Sequence, residues 1–506
     1  MSEVKVHHSR TILHGVWQQA SQQPDRMAVR MGTIGYTYQQ LIERSERIAQ
    51  MIGARNLARQ RIGLYLSNHP DFLCAFYGCV RAGAIAVPLP ADLLREQLDD
   101  YKKHLNLTEV WDHETVDEYL EEKSHENQPT VFEHQPNVKQ ISADGLFYMA
   151  VSSGSTGRPK GILRNHRSWV ISFDAMYEAF GIGLEDTMLI PGPLHYSASL
   201  IAALQVLDRG GEVVLLPFFQ AESVMDQLLS GQITSTFLVP TMIAKLLSML
   251  ADQTQMTPIF RTLPLKIVSA GAKLDLTLKK AWLSCFKQSQ LYEYYGAAEL
   301  SFVSYISPDD QLTVGNSVGK AFPQTKLVIR SDAGKLCEVG EVGEVYVQSE
   351  MIAQAYGHQV AEKFLLPQEG YYTVGDMGYL DKAGYLFLTG RKQDMILRGG
   401  VNIYPLEIER VLNQHLNVAE VVVLGIPDQV MGECIVAAIV ESNQEERKPS
   451  EVKLMTRQES KFHSWVRHHL QQSRWPDYYL IVEQLPLGSA GKADKETLRN
   501  WIVTSK

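Results

Sequence analysis

Strand-like and helix-like patterns alternate along most of this chain of 506 residues. Short apolar runs are each followed by a longer stretch in which apolar side chains return every three or four positions. The strand-like runs include residues 61–66, 84–87, 213–216 and 235–239, and the helix-like stretches include residues 38–53, 70–82, 221–229 and the one that begins at Pro240. Such alternation is typical of parallel sheets covered by helices. The sequence therefore predicts an α/β fold up to about residue 317.

The pattern changes near Val318. From there to about residue 390, short strands and turns containing Gly and Asp predominate, which predicts a small β-rich subdomain. A third block follows, with a helix that begins at Pro405 and apolar strands at residues 421–424 and 435–440. We therefore expect an N-terminal domain of residues 1–391 and a C-terminal domain of residues 392–506.

The composition is that of an ordinary globular protein, with 45% hydrophobic and 21% charged residues. A formal net charge of −9 argues against a nucleic-acid partner. The five cysteines are scattered without metal-ligand spacing, which predicts reduced thiols. The polar first ten residues do not resemble a signal peptide, and no apolar run approaches the ~20 residues of a membrane helix. We expect a cytoplasmic protein without a transmembrane segment.

A loop rich in glycine and hydroxyl residues follows the apolar run that begins at Tyr148. Its glycines allow backbone amides to approach an anion, its hydroxyls can donate hydrogen bonds, and its lysine adds positive charge. The predicted polyphosphate-binding residues are Ser152, Ser153, Gly154, Ser155, Thr156, Gly157 and Lys160. The spacing is not that of a Walker A motif. A flexible Ser/Gly linker is the alternative, but the apolar run before the loop and the Pro-Lys-Gly after it favour a loop fixed between packed elements.

Further segments complete a series of motifs in a fixed order. They are residues 152–161, 269–274, 294–299, 372–376 with 390–391, 399–409 and 485–492. In this order and spacing they resemble the motifs of the adenylate-forming superfamily, which comprises acyl-CoA synthetases, adenylation domains of peptide synthetases and firefly-type luciferases. The resemblance runs from residue 35 to residue 492, and within the superfamily the chain is most similar to bacterial fatty-acyl-CoA ligases.

The resemblance implies a fold and a reaction. The α/β fold would comprise a large N-terminal domain, made of two doubly wound α/β subdomains and a small β-barrel-like subdomain, and a smaller mobile α+β C-terminal domain. A carboxylic acid would react with ATP to form an acyl adenylate and pyrophosphate. The thiol of coenzyme A would then attack the acyl group and release AMP. The implied cofactors are ATP, Mg²⁺ and coenzyme A.

The resemblance also assigns roles to single residues. Lys492 would bridge the carboxylate and the nucleotide, Glu299 would bind Mg²⁺, and Asp376 with Arg391 would hold the ribose. Further AMP-binding residues would be Gly271, Ala272, Tyr294, Tyr295, Gly296 and Ala297. The roles suit the residue types, because Mg²⁺ takes oxygen ligands and a carboxylate can accept two hydroxyl hydrogen bonds. The alternatives are a solvated lysine, a surface carboxylate at Glu299 and a turn-forming aspartate at Asp376.

The second half-reaction implies a domain rotation. Gln393 would be the hinge, and Gly399 and Gly400 would then approach the pantetheine chain of coenzyme A. The chain departs from the usual motifs at three positions: Ala298 stands where Thr or Ser is common, Gly488 where Thr is common, and Gln393 where Asp or Lys is common.

Residues 193–199 bear on the identity of the carboxylic acid substrate, because they resemble the segment that borders the acyl pocket. His195 fits a gate between the acyl pocket and the coenzyme A tunnel, and an ordinary core histidine is the alternative. Peptide-synthetase adenylation domains have an Asp there for the α-amino group, and this segment has no acid. An amino acid is thus disfavoured. With apolar walls expected from residues 200–204 and 237–243, a fatty acid is the first choice and a succinylbenzoate-like aromatic acid the second.

Two other functions remain open from the sequence. The chain could load an acid onto the phosphopantetheine of a separate carrier protein instead of coenzyme A, since it contains no recognisable carrier domain. It could also be a non-catalytic nucleotide-binding relative, although retention of Lys492, Glu299, Asp376 and Arg391 argues against that. The expected oligomeric state is a monomer or homodimer.

Overall fold

The structure is a computed structural model. It describes residues 9–121, 141–153, 159–251, 260, 262–357, 362–364, 367, 369–399, 401–442, 452–487 and 493–505.

The described residues form strands and helices along the whole length of the chain. The strands are β1 (Met27–Met31), β2 (Ile34–Thr37), β3 (Arg61–Leu64), β4 (Ile85–Pro88), β5 (Glu109–Trp111), β6 (Leu146–Ser153), β7 (Pro159–Asn165), β8 (Thr187–Ile190), β9 (Glu212–Leu215), β10 (Ser235–Phe237), β11 (Lys266–Ser269), β12 (Gln290–Ala297), β13 (Ser301–Ile306), β14 (Lys320–Ala321), β15 (Lys326–Arg330), β16 (Gly343–Gln348), β17 (Ala355–Gly357), β18 (Glu362–Phe364), β19 (Asp376–Leu380), β20 (Leu386–Arg391), β21 (Ile396–Arg398), β22 (Val401–Ile403), β23 (Val418–Asp428), β24 (Gly432–Glu441), β25 (Lys453–Thr456) and β26 (Tyr478–Val482). The helices are α1 (Leu13–Gln22), α2 (Tyr38–Ala54), α3 (Pro70–Arg81), α4 (Arg95–His104), α5 (His113–Glu121), α6 (His166–Phe180), α7 (Ser197–Asp208), α8 (Ala221–Leu229), α9 (Pro240–Ala251), α10 (Leu276–Cys285), α11 (Pro405–Leu412), α12 (Phe462–His469) and α13 (Lys495–Ser505).

The chain divides into two compact units, each built from separate segments. The first consists of Met1–Leu327, Val347–Tyr372 and Gly384–Leu386, and the second of Val328–Tyr346, Thr373–Ala383 and Phe387–Lys506. The placement of a domain boundary after Arg391 stays a prediction.

Two mixed sheets form the framework of the first unit. One has nine strands in the order β14-β13-β12-β11-β10-β8-β9-β1-β2, and its central strands from β12 to β1 run parallel. The other has seven strands in the order β18-β17-β7-β6-β4-β3-β5, with β6, β4, β3 and β5 parallel. The parallel arrangement predicted from the alternating pattern is thus present in both sheets.

Helix α3 shows why the helices of this unit form where they do. Pro70 supplies the first helical position, where a missing N–H costs nothing, and every residue from Pro70 to Arg81 is buried. Helix α2 begins with a capping box between Thr37 and Gln40. The two helices pack closely at Gly78, since a Cβ there would lie 2.5 Å from Cγ2 of Ile48. These contacts join α2 and α3 in the largest hydrophobic core.

In the second unit, a six-stranded sheet carries helices on both faces. Its order is β22-β21-β24-β26-β25, and β23 pairs with β24. Alternate residues of β24 enter different cores: Ile435 and Ile439 pack with α11 and α12, whereas Val436 and Val440 pack with α13. This alternation follows from the period of two along a strand. The α+β prediction for the C-terminal region agrees with this sheet.

The described part of the β-rich stretch from residue 318 to residue 390 does not form the barrel-like subdomain that we predicted. Within the described residues, its main sheet has four strands in the open order β15-β16-β19-β20. Closure depends on pairing between the two edge strands, which a local pattern of short strands and turns cannot specify.

Two further expectations concern the thiols and the membrane. The five cysteines are free; Cys74, Cys79 and Cys434 are buried, and Cys285 and Cys337 are partly exposed. Among the described residues, no helix combines the length and apolar character needed to cross a membrane.

Candidate active site

Several of the predicted site residues lie outside the described residues: Gly154, Ser155, Thr156, Gly157, Gly400 and Lys492. Ser152 and Ser153 are the last residues of β6, and their backbones pair with Lys160 and Pro159 of β7. The two strands therefore form the base of the predicted phosphate loop.

The first unit brings the predicted phosphate-binding lysine and metal-binding glutamate together. Lys160 Nζ lies 3.4 Å from Oε1 of Glu299 and 3.5 Å from the ring centroid of Tyr356. The Tyr356 hydroxyl donates a hydrogen bond of 3.3 Å to the same oxygen of Glu299. Burial and the Glu299 carboxylate raise the pKa of Tyr356, which keeps this hydroxyl protonated. Sequence reasoning missed Tyr356, because it follows Glu299 by more than 50 residues in a separate segment.

A buried arginine fixes the backbone around Glu299. Arg164, at 1% exposure, donates hydrogen bonds to the carbonyl oxygens of Ala298 (2.9 Å) and Met351 (2.7 Å) and to the hydroxyl of Ser301. Burial lowers its pKa to about 10, so it remains cationic at neutral pH. The Glu299 carbonyl in turn accepts from the Ala353 N–H at 2.8 Å. Sequence reasoning missed Arg164, because its partners lie more than 130 residues away along the chain.

The turn between β12 and β13 is tight. Gly296 approaches Ser301 so closely that a Cβ would lie 1.9 Å from the Ser301 carbonyl oxygen. Ser301 itself has a φ of 59°. Gly296 therefore cannot be replaced without moving the segment that carries Glu299.

The predicted adenine segment is held by a buried ion cluster. Glu293 accepts from the Leu274 N–H (2.9 Å) and contacts Lys273 (3.1 Å) and Lys279 (2.6 Å) through its other oxygen. Burial lowers the pKa of Lys273. Gly271 has a φ of 91°, a conformation that favours glycine, and Ala272 follows it. The cluster fastens this turn to strand β12.

Strand β12 carries the predicted aromatic residues. The Tyr294 ring packs in the core, with its centroid 4.8 Å from that of Phe302 and 6.2 Å from that of Phe180. Tyr295 and Ala297 are partly exposed and belong to the same strand. Tyr294 and Tyr295 are both partly exposed, so exposure does not single out one of them for a nucleotide base.

His195 lies in a largely enclosed environment, and the carboxylate of Asp92 is near enough to interact with it electrostatically. Its Nε2 is buried without a hydrogen-bond partner among the described residues, and burial lowers its pKa to about 4. The segment before it is held by Asn68, which sequence reasoning missed. The Asn68 amide donates to the carbonyls of Gly192 and Leu216, both at 2.9 Å, and accepts from the Leu194 N–H at 2.8 Å.

The second unit brings together the predicted ribose-binding pair. Asp376, 6% exposed, begins β19, and Arg391 ends β20. The Arg391 Nε donates to Oδ1 of Asp376 at 3.0 Å. The buried carboxylate can accept hydrogen bonds from neighbouring hydroxyls, and the exposed guanidinium beside it can donate to them.

The predicted hinge and glycine loop also lie in the second unit. Gln393 is the middle residue of a 3₁₀ turn, Lys392–Asp394. Its neighbours are ion-paired: Lys392 with Glu344 at 3.0 Å, and Asp394 with Lys495 at 3.0 Å. Gly399 has a φ of 57° at the end of β21, and a Cβ there would lie 2.9 Å from Cε of Met431.

The donor set fits a magnesium ion that arrives with a nucleotide. Within the described residues, no cluster of three or more His, Cys, Asp or Glu side chains could hold a metal ion. Glu299 is 17% exposed in its side chain, and its Oε2 accepts no hydrogen bond from the described residues. One carboxylate together with phosphate oxygens and water is a common magnesium environment in phosphate-transfer sites.

Known proteins resemble the chain over almost its full length. An uncharacterized acyl-CoA ligase of Bacillus subtilis is 31% identical, with 98% of this chain and 99% of the relative covered. A long-chain-fatty-acid–CoA ligase of Mycobacterium tuberculosis is 27% identical, with 92% of each chain covered. The solved structure of o-succinylbenzoate-CoA synthetase from Bacillus subtilis, in complex with its acyl-adenylate intermediate, has a TM-score of 0.80 at 25% identity and covers 97% and 98% of the two chains. The same synthetase has been solved with ATP and a magnesium ion.

Family models match both parts of the chain. Residues 16–357 match the AMP-binding enzyme model, and residues 407–492 match the model of the AMP-binding enzyme C-terminal domain. These matches confirm the resemblance drawn from the motifs, and the solved structures confirm the α/β class, with a large N-terminal and a smaller C-terminal domain. The chain belongs to the AMP-binding enzyme family.

Proposed function

We propose that this chain is an AMP-forming acid–thiol ligase that converts a fatty acid to its acyl-CoA through an acyl adenylate. Family membership and similarity to acyl-CoA ligases over almost the full length support the ligase class. The single observation that carries the adenylate step is the Lys160–Tyr356–Glu299 cluster at the base of the phosphate loop. It presents a cation for phosphate and a carboxylate for magnesium within 3.4 Å of each other.

The reaction joins two anions, so positioning and positive charge must supply most of the catalysis. Lys160 would contact phosphate oxygens, and Lys492 would hold the attacking carboxylate oxygen against the α-phosphorus. Magnesium, when bound beside Glu299, would neutralise charge on the phosphates. Asp376 and Arg391 would hold the ribose hydroxyls. A carboxylate oxygen then forms the new O–P bond, and pyrophosphate leaves.

The fatty-acid proposal follows from the charge of the expected acyl-pocket segments. Residues 193–204 and 237–243 contain no Asp, Glu, Lys or Arg. His195 is neutral at pH 7, since burial lowers its pKa to about 4. An amino acid would bring an ammonium group, and a succinylbenzoate-like acid a second carboxylate, and the two segments contain no side chain of opposite charge for either. A monocarboxylic acid with an apolar chain leaves no charge unpaired once its carboxylate reacts.

Pyrophosphate release tests the proposal. Purified protein would be incubated with Mg·ATP and a panel of acids: saturated fatty acids of increasing length, succinylbenzoate and several amino acids. We expect release with fatty acids and little with the others. Preference for succinylbenzoate would replace the substrate proposal with the second candidate, and the absence of release with any acid would contradict an adenylating enzyme.

The thiol acceptor needs a separate comparison. Preformed acyl adenylate would be offered to coenzyme A and to a phosphopantetheinylated carrier protein. We expect AMP release with coenzyme A, in keeping with the CoA-ligase names of the relatives. Reaction with the carrier protein alone would favour the carrier-loading function.

A further inference from the structure

Tyr356 contacts both charged groups of the candidate phosphate and metal site. Its ring face lies 3.5 Å from Lys160 Nζ, and its hydroxyl donates to Glu299 Oε1 at 3.3 Å. Strand β17 holds it in place, because Tyr356 pairs with Ile162 in the neighbouring strand β7. One side chain thus bridges an ammonium and a carboxylate that belong to different strands and loops.

The contacts of Lys160 show why such a bridge matters. Lys160 and Glu299 are direct partners at 3.4 Å. When a nucleotide binds with its metal, Lys160 must leave Glu299 for a phosphate oxygen, and Glu299 must leave Lys160 for Mg²⁺. The Tyr356 ring can keep the ammonium in place by a cation–π interaction, and its hydroxyl can keep one carboxylate oxygen oriented while the other faces the metal.

We propose that Tyr356 is a positioning residue that holds Lys160 for the polyphosphate and Glu299 for the metal, and thereby sets the affinity for Mg·ATP but not for AMP. This inference rests on the proposed nucleotide-dependent function. AMP lacks the β- and γ-phosphates, which together with a carboxylate are the oxygen ligands that a nucleotide-borne Mg²⁺ needs. The two ligands therefore separate the role of Tyr356 from general support of the fold.

Two substitutions of Tyr356 separate the effect of its contact with Lys160 from that of its contact with Glu299. Tyr356→Phe removes the hydroxyl and keeps the ring beneath Lys160, whereas Tyr356→Leu removes both contacts. Calorimetric titration of each variant with Mg·ATP and with AMP measures the effect without turnover. We expect Mg·ATP binding to weaken by roughly threefold to tenfold in the Phe variant and by at least a further threefold in the Leu variant. AMP binding should stay within about twofold of the unsubstituted protein.

A matched control comes from Tyr385, whose ring holds Lys320 Nζ at 4.4 Å. Tyr385→Leu removes a comparable cation–π contact within the same unit and should leave both affinities unchanged. Circular dichroism and thermal unfolding would show whether each variant is folded. In the Phe variant, a higher magnesium concentration should be needed to reach full ATP affinity, since only the contact to Glu299 is lost.

Equal weakening of Mg·ATP and AMP would show that Tyr356 only supports the fold, and unchanged Mg·ATP affinity in the folded Leu variant would contradict any positioning role. If the unsubstituted protein bound neither nucleotide, the proposed function would fail and this inference with it. Nucleotide binding by the unsubstituted protein, combined with either of the first two results, would overturn the inference alone.

Discussion

At the scale of single residues, a substitution of Glu299 can separate metal binding from the other functions of the site. Glu299→Gln keeps the size of the side chain and removes the anionic oxygen expected to bind Mg²⁺. We expect slower adenylation and a shift of the magnesium titration to higher concentration by roughly an order of magnitude. The control is Glu46→Gln, which alters a carboxylate paired with Arg81 at 2.6 Å. An unchanged magnesium titration in Glu299→Gln would make Glu299 structural.

His166 should make the stability of the chain depend on pH. It is 1% exposed, accepts a hydrogen bond from the Ile12 N–H, and has a pKa lowered to about 3 by burial. The unfolded chain, with a histidine pKa near 6.5, binds the proton more readily, so stability falls as pH drops below about 6.5. The loss due to His166 should reach about 2 kcal/mol at pH 5.

Urea unfolding at pH 7 and pH 5 checks this dependence. His166→Asn should lose less stability between the two pH values than the unsubstituted protein. His195→Asn is the parallel variant, because His195, with a pKa of about 4, titrates in an overlapping window. If the free energy of unfolding changed equally between pH 7 and pH 5 in His166→Asn and in the unsubstituted protein, His166 would not be the source of the pH dependence.

The residues found from sequence and those missed differ in how their roles arise. Lys160 and Glu299 stand in recognisable motifs, and in the structure they lie 3.4 Å apart. Arg164, Tyr356 and Asn68 act through partners more than 50 residues away, mostly backbone carbonyls. A backbone carbonyl leaves no trace in a sequence, so these roles could not be read from one chain.

At the scale of elements, Asn68 joins the ends of strands β8 and β9. Asn68→Ala would leave the carbonyls of Gly192 and Leu216 and the Leu194 N–H unpaired in a buried place. We expect a loss of about 2–3 kcal/mol in the free energy of unfolding. The KM for the acid should rise more than the KM for ATP, since His195 follows Leu194 directly.

A matched control for Asn68 is Gln205, another buried amide. It is 1% exposed and donates to the Ile182 carbonyl at 2.9 Å. Gln205→Ala should cost stability without a selective change in the KM for the acid. If Asn68→Ala altered both KM values equally, Asn68 would have no particular influence on the acid.

The 3₁₀ turn at Lys392–Asp394 is the element on which the proposed rotation depends. Gln393→Pro fixes φ near −65°, whereas Gln393→Ala leaves it free. We expect the proline variant to form acyl adenylate at a rate similar to that of the alanine variant but to transfer the acyl group to coenzyme A much more slowly. Single-turnover assays of each step measure this. A proline variant with both steps intact would mean that the hinge lies elsewhere or that no large rotation is needed.

The spacing of apolar residues in the sequence predicted single helices and strands better than it predicted which strands pair with each other. The helix predicted from Pro405 and the one over residues 221–229 occur as Pro405–Leu412 and Ala221–Leu229. The strand expected at residues 421–424 extends over Val418–Asp428, since its pairing with β24 continues past the apolar run. The barrel-like subdomain was wrong for a related reason: local patterns specify strands but not which edges pair.

At the scale of the whole molecule, Lys492 tests whether the two half-reactions use different residues. Lys492→Ala should slow acyl-adenylate formation by at least ~10²-fold, the usual cost of losing one transition-state donor. Consumption of supplied acyl adenylate by coenzyme A should change far less. The matched control is Lys461→Ala, which removes a lysine that pairs with Glu441 at 2.9 Å. Equal losses in both half-reactions would remove the special role of Lys492.

The segmented first unit has a consequence for synthesis of the chain. Its last residues, Gly384–Leu386, come about 60 positions after Leu327, and at 5–20 residues per second a ribosome needs roughly 3–12 s for that distance. In the first half of this interval the β7 edge of the seven-stranded sheet still lacks β17, which ends 30 positions after Leu327. An unpaired, largely buried strand such as β7 invites association with other nascent chains. Slower translation between residues 327 and 357 should therefore increase aggregation and dependence on chaperones.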